Sequence, residues 1–184
     1  MSRTATAWAI AAALALSGCA VKVHKVVVRQ DRLPAAPPAG KKMPGLACAF
    51  QLADVVDARP AGNRAGGLGK HQFLLDDAAT LVRTQLIKVG MSAPDAPAVA
   101  GARRVAVQIK QLYLSQNTIT KVPVAVYSVQ IDGGAPFVIR AQAASMNWNG
   151  SEDEAYRSLS DAMGDANLQL VHTLNKHCKA NQAG

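Results

Sequence analysis

Three runs in the second half of the chain, Arg103–Ser115, Thr120–Ile131 and Phe137–Trp148, repeat with a period of two, and that pattern commits this half of the protein to a sheet. Val105, Val107, Ile109 and Gln111 alternate with Ala106, Gln108 and Lys110, so the first run turns one face to a core. Gly133-Gly134 supplies a hairpin turn between the second and third runs. Pro123 has no amide hydrogen to give to a neighbour, which sets the middle run at a sheet edge or interrupts its first residues.

Upstream, Leu46, Cys48, Phe50 and Leu52 alternate with Ala47, Ala49 and Gln51, a strand closed by Asp57-Ala58-Arg59-Pro60. The Gly-rich stretch 61–72 reads as a loop. From Phe73 to Val89 a helix is expected: Leu75, Ala78, Ala79, Val82, Leu86 and Val89 share a face, Asp76 and Asp77 suit the positive end of the helix dipole, and Gly90 is a stop. Ser151-Glu152-Asp153-Glu154 is a capping box, with Ser151 expected to accept from the third helical amide and Glu154 to reach back to the cap amide. The helix it opens carries an apolar stripe of Leu159, Ala162, Met163, Ala166, Leu170, Val171, Leu174 and Cys178. The order β-α-β-β-β-α predicts an α/β two-layer sandwich, a mixed four-stranded sheet with two helices on one face. Aromatic residues are 4% of the chain and hydrophobic residues 49%, so Ala, Val and Leu must build the core.

The start of the chain is of another kind. Arg3 precedes an apolar run, Ala7 to Leu16, that is far short of the roughly 20 residues a spanning helix needs, and Leu16-Ser17-Gly18-Cys19 follows it. That order resembles the signal peptide and lipobox of bacterial lipoproteins. The resemblance implies cleavage after residue 18, diacylglycerol on the thiol of Cys19 and palmitate or a similar chain on its amine. With two fatty chains, such an anchor holds stably. Ala20 after the cysteine points, by the same resemblance, to the outer membrane with the domain facing the periplasm. The expected organisation is a signal peptide at 1–18, a lipidated, basic, Pro-rich tether at 19–44, and one α/β domain at 45–184. Within the tether, Val21 to Val28 has the pattern to pair as an edge strand.

The formal net charge of +8 invites a nucleic-acid reading, but its distribution argues against one. Lys22, Lys25, Arg29, Arg32, Lys41 and Lys42 face only Asp31 in the tether, whereas the rest of the chain is nearly balanced. Basic residues beside a lipid anchor favour an anionic bilayer, each by about 1 kcal/mol. Setting Cys19 aside leaves Cys48 and Cys178, both on inward faces, in a compartment where disulfides persist. Either they pair, closing a loop of about 130 residues worth several kcal/mol on the chain-entropy model, or they are two buried thiols.

Motifs that carry chemistry are sparse. Gly66-Gly67-Leu68-Gly69-Lys70 lacks the spacing of a phosphate-binding loop, with Arg at 64 and His at 71. His172, His177 and Cys178 are spaced so that a helix spreads them around its axis, and no metal or other cofactor is expected. No Gly-x-Ser-x-Gly elbow occurs, and no catalytic set is assigned. Asp57 and Arg59 leave a strand end, where loops carry function; they form either a surface site or a turn-stabilising pair. An enzyme would need a polar pocket built from residues such as Asp57, Arg59 and His71.

Taken together, the lipobox, Asp57-Ala58-Arg59-Pro60 at a strand end, Val89-Gly90 at a helix end, Val105-Val107-Ile109 followed by Leu112-Tyr113, and Trp148-Asn149-Gly150-Ser151 before the last helix resemble the YajG-like outer-membrane lipoproteins. The layout is also similar to that of the auxiliary lipoproteins of ABC-type lipid transport systems. The resemblance implies a non-enzymatic envelope protein with no catalytic residue to transfer. The expected function is a periplasmic binding or accessory module, held to the membrane through Cys19 and serving an unknown periplasmic protein partner. The alternatives are an auxiliary subunit of a lipid transporter and an activator of cell-wall synthases.

Overall fold

The computed structural model describes residues 23–33, 41–117, 120–142, 144–146 and 149–182. The leader, Cys19, Pro34, Pro37, Pro38 and Trp148 lie outside the described residues. The spine of the fold is β5 (Arg103–Gln116), whose inward residues Val105, Val107, Ile109, Leu112 and Leu114 are all buried. A register shift between Ile109 and Gln111 places a bulge at Lys110, which keeps both halves of this long strand facing the same core.

Along one side of β5 runs β6 (Thr120–Ile131), antiparallel from Val105↔Ile131 to Gln116↔Lys121. The other side is shared. β2 (Phe50–Asp57) pairs parallel with the first half as far as Asp57↔Ile109, and β3 (Arg64–Leu68) meets the second half at Gly66↔Leu114. Beyond β3 come β4 (His71–Leu74), antiparallel to it, and β1 (His24–Val27), parallel to β4. On the far side of β6, β7 (Phe137–Gln142) covers Val124 to Val129 and β8 (Ser145–Met146) covers Thr120 and Lys121. β6 therefore has partners on both sides rather than an edge position; Pro123 is paired with Leu114 of β5 and sits where the outer partner changes from β8 to β7.

The four-stranded expectation is therefore corrected to an eight-stranded mixed sheet with two helices. The missing strands were hidden by composition. The supposed loop at 61–72 is largely the β3–β4 hairpin, in which glycines replace the side chains that would have shown a period of two. Gly66, at φ +80, lies so close to β5 that a Cβ would sit 1.9 Å from the carbonyl oxygen of Leu114. The expected helix from Phe73 begins later, as α1 (Ala78–Lys88), because Phe73 is a fully buried β4 residue and Asp77 is the N-cap, its carboxylate accepting from the Thr80 amide at 2.9 Å.

The last helix, α2 (Glu152–Gln182), starts where its cap residues place it and runs about 46 Å at 1.5 Å per residue. Ser151 Oγ accepts from the Glu154 amide at 3.2 Å. Glu154 reaches past the cap residue instead of back to it, accepting from the amides of Asn149 and Gly150 at 2.8 and 3.1 Å. Leu159, Met163, Leu170 and Leu174 bury against the sheet in a core that also takes Leu81, Val82 and Leu86 of α1.

Between β1 and β2 the chain is attached along α2 at several heights. Near the helix start, the Tyr156 hydroxyl accepts from the Arg29 amide at 3.0 Å and donates to the Val27 carbonyl at 3.2 Å. Arg32 pairs with Glu152 and Asp153, its guanidinium lying 4.0 Å over the Tyr156 ring. Lys41 meets Asp165 midway, at 2.6 Å. Near the other end, Asn175 accepts from the Ala47 amide and donates to the Gly45 carbonyl, and Cys48 is joined to Cys178 in a disulfide with Cα atoms 6.0 Å apart. Val28 and Leu33 are buried members of the core, so the described part of the segment expected as a tether packs on the domain.

Candidate functional site

Asp57 ends β2 because the chain turns there: the Ala58 amide still reaches the Ile109 carbonyl at 3.0 Å, after which Arg59 folds back under the strand end. Arg59 Nε and Nη2 donate to the two oxygens of Asp57 at 2.8 and 2.7 Å, a bidentate pair, and Nη2 also donates to the Leu75 carbonyl at 2.8 Å. The guanidinium thus ties the end of β2 to the residue that follows β4. The hydrogen bond from Arg59 holds the Asp57 carboxyl below the usual carboxylate range, against the opposing effect of its partial burial. Arg59 is 3% exposed at its side chain, yet Nη1 has no partner among the described residues.

Arg59 lines a pocket of about 300 Å³. The opening exists because β2 leaves β5 at Ile109 and β3 joins it only near Leu114, with the Lys110 bulge between. Pro60, Leu112 and Tyr113 give the pocket apolar walls, while Arg64 and Lys110 bring two exposed cations to its margin. Gln111 also lines it and carries a buried Oε1 with no partner. The lining thus combines two exposed cations, a buried arginine with an unused nitrogen and an unpartnered amide oxygen with apolar walls.

Of the residues the sequence singled out, Asp57 and Arg59 belong here, and His71 does not. His71 stands beside His24, ring centroids 5.8 Å apart, at the start of β4. Arg64, Lys110, Gln111 and Tyr113 had no signal in the sequence, because what unites them is a bulge and a change of strand partner. Cys178 is in the disulfide and His177 stacks on Phe137 at 5.8 Å, so neither joins His172 in a ligand set. No group of three or more metal-ligating side chains occurs among the described residues.

A second charged pair lies where β6 begins. Lys121 Nζ is 2.6 Å from Glu154 Oε1, with side chains 14% and 10% exposed. Burial alone would push the Glu154 carboxyl up, but the Lys121 ammonium and the amides of Asn149 and Gly150 outweigh it and hold the group below its ordinary value.

No protein-family model matches the sequence, and neither does any curated protein. Solved structures do resemble it. Protein XCC0632 from Xanthomonas campestris, of family DUF330, matches over 87% of this chain and 98% of its own, with a TM-score of 0.52 at 10% identity. The rare lipoprotein B from Shewanella oneidensis matches over 72% of this chain and 96% of its own, with a TM-score of 0.33 at 12% identity. The PelC dodecamer from Paraburkholderia phytofirmans matches over 69% and 94%, with a TM-score of 0.31 at 13% identity. The likeness to XCC0632 establishes a shared fold and a distant structural relationship; the other two scores are too low to argue from. None of these likenesses singles out the YajG-like family. No helix among the described residues is long and apolar enough to cross a membrane.

Proposed function

We propose that the protein is an outer-membrane lipoprotein, anchored through Cys19, whose periplasmic domain is a non-enzymatic binding or accessory module. Its binding feature is the pocket at the fork between β2 and β3, which takes an anionic group carried on a partner with an apolar portion. The observation that carries this reading is Arg59, a lining residue of that pocket whose buried Nη1 has no partner among the described residues. A buried unpaired donor is costly, and a ligand that supplies an acceptor recovers the cost.

The lipid-transport alternative gains from the same pocket, since Pro60, Leu112 and Tyr113 suit the first carbons of an acyl chain.

Titration of the purified full chain with laurate and with dodecyl phosphate, each below its micellar concentration, tests the pocket by amide NMR. Saturable shifts confined to Gly66, Gln111, Leu112 and Tyr113, and lost in Arg59→Met, support the reading. Shifts that do not saturate, or that persist in R59M, sink it. Palmitate labelling with membrane fractionation tests the anchor separately.

A further inference from the structure

The edge strand β1 begins at His24, and Val23 is the first described residue. Four residue steps separate Val23 from Cys19, a span of at most about 14 Å. β1 is not loosely placed: it pairs with β4 over its whole length, the His24 amide donates to the Lys70 carbonyl at 2.8 Å, and Tyr156 holds the residues that follow. Whatever Cys19 is attached to must therefore lie next to one particular end of the domain.

That end collects several elements. The Gly69 amide donates to Gln116 Oε1 at 2.5 Å, joining the β3–β4 turn to the end of β5, and Thr120 at the start of β6 pairs with Met146 of β8. Val23 and Met146 are 59% and 65% exposed there, large apolar side chains in water. Glu152 and Asp153 are taken by Arg32 and Glu154 by Lys121, while Lys25 and Lys70 form no ion pair among the described residues.

We propose that this end, formed by Val23, His24, Lys25, the Gly69-Lys70 turn and Met146, rests on the surface of an anionic lipid bilayer. The proposal builds on the reading of Cys19 as the lipid anchor. The lysines meet the anionic headgroups, and Val23 and Met146 enter the interfacial layer beside the fatty chains. α2 then leads away from the membrane and carries the Cys48–Cys178 end about 40 Å from it. The domain has a fixed orientation rather than a freely swinging one.

The test uses the full-length chain expressed with its leader and purified from membranes. Intact mass first reports whether Cys19 carries diacylglycerol. The protein in nanodiscs of phosphatidylethanolamine and phosphatidylglycerol doped with a headgroup spin label is then read by amide NMR. Amides of Gly69 and Lys70 should be broadened at least about tenfold more than those of Gly133 and Gly134 at the opposite end, given the length of α2. The double variant K25E/K70E should retain the lipid adduct and lose at least about half of that difference, since its charges now repel the surface. A lipidated protein whose two ends broaden equally, or whose double variant behaves as the parent, overturns the docking while leaving the anchor intact. An unmodified Cys19 overturns both.

Discussion

Two ion pairs, each with one buried partner, sit at strand ends of this protein and have opposite character. At Lys121–Glu154, the carboxylate accepts from one ammonium and two backbone amides, and the pair locks β6 to the start of α2. At Asp57–Arg59, the carboxylate is equally well served, but the guanidinium of this pocket-lining residue keeps one buried nitrogen without a partner among the described residues. The first pair is closed and behaves as a joint. The second leaves a buried donor without a partner, which is costly until an acceptor reaches it. A buried charge is therefore evidence of a site only when its hydrogen-bonding capacity exceeds what its neighbours take up.

The comparison can be broken in several ways. The largest effect should come from the staple that fixes the far end of α2. Cys48→Ser with Cys178→Ser should lower unfolding stability by about 5 kcal/mol on the chain-entropy model, measured by urea denaturation, and leave ligand shifts at Leu112 unchanged. Next, Glu154→Ala should cost about 2–3 kcal/mol by stranding Lys121 and two amides, again without touching the pocket. Arg59→Lys should cost less, about 1–2 kcal/mol, yet abolish the shifts at Gly66 and Leu112, because an ammonium cannot hold Asp57 in two places and still present a donor to the pocket.

Acid sharpens the contrast at smaller scale. Both carboxyls are held below their ordinary values of 3.8 for Asp57 and 4.5 for Glu154, so each contributes stability that is complete above those values and lost as pH falls through the native ones. The slope of stability against pH below 4.5 should flatten in Glu154→Gln and, to a lesser degree, in Asp57→Asn. The smallest change should follow Lys41→Ala, an exposed pair with Asp165 worth under about 0.5 kcal/mol.

What could be read from the sequence was whatever repeats along it. Strands β5 and β6, the cap at Ser151 and the inward faces of Cys48 and Cys178 all show in alternation or in local hydrogen-bonding chemistry. The β3–β4 hairpin did not, since Gly66 and Gly67 are present to let backbones approach and so erase the pattern. Phe73 was misplaced because the helical face of Leu75, Ala78, Val82 and Leu86 was extended back over it, although it stands two residues from Leu75, a strand spacing, and the Asp77 cap marks the true start. Asp57 and Arg59 were visible as charges at a strand end, but which of them would be left with an unused donor depended on Leu75, sixteen residues away. Lys110 and Tyr113 reach the pocket through a bulge, which no local rule places.

The bond between Cys48 and Cys178 joins residues 130 positions apart, close to the two ends of the folded unit. Cys48 leaves the ribosome long before its mate is made, so this crosslink cannot guide the early collapse of the chain and can only record that assembly has finished. A product truncated anywhere before the last turns of α2 would carry a bare thiol, which gives a quality-control system a chemical way to tell incomplete copies from complete ones.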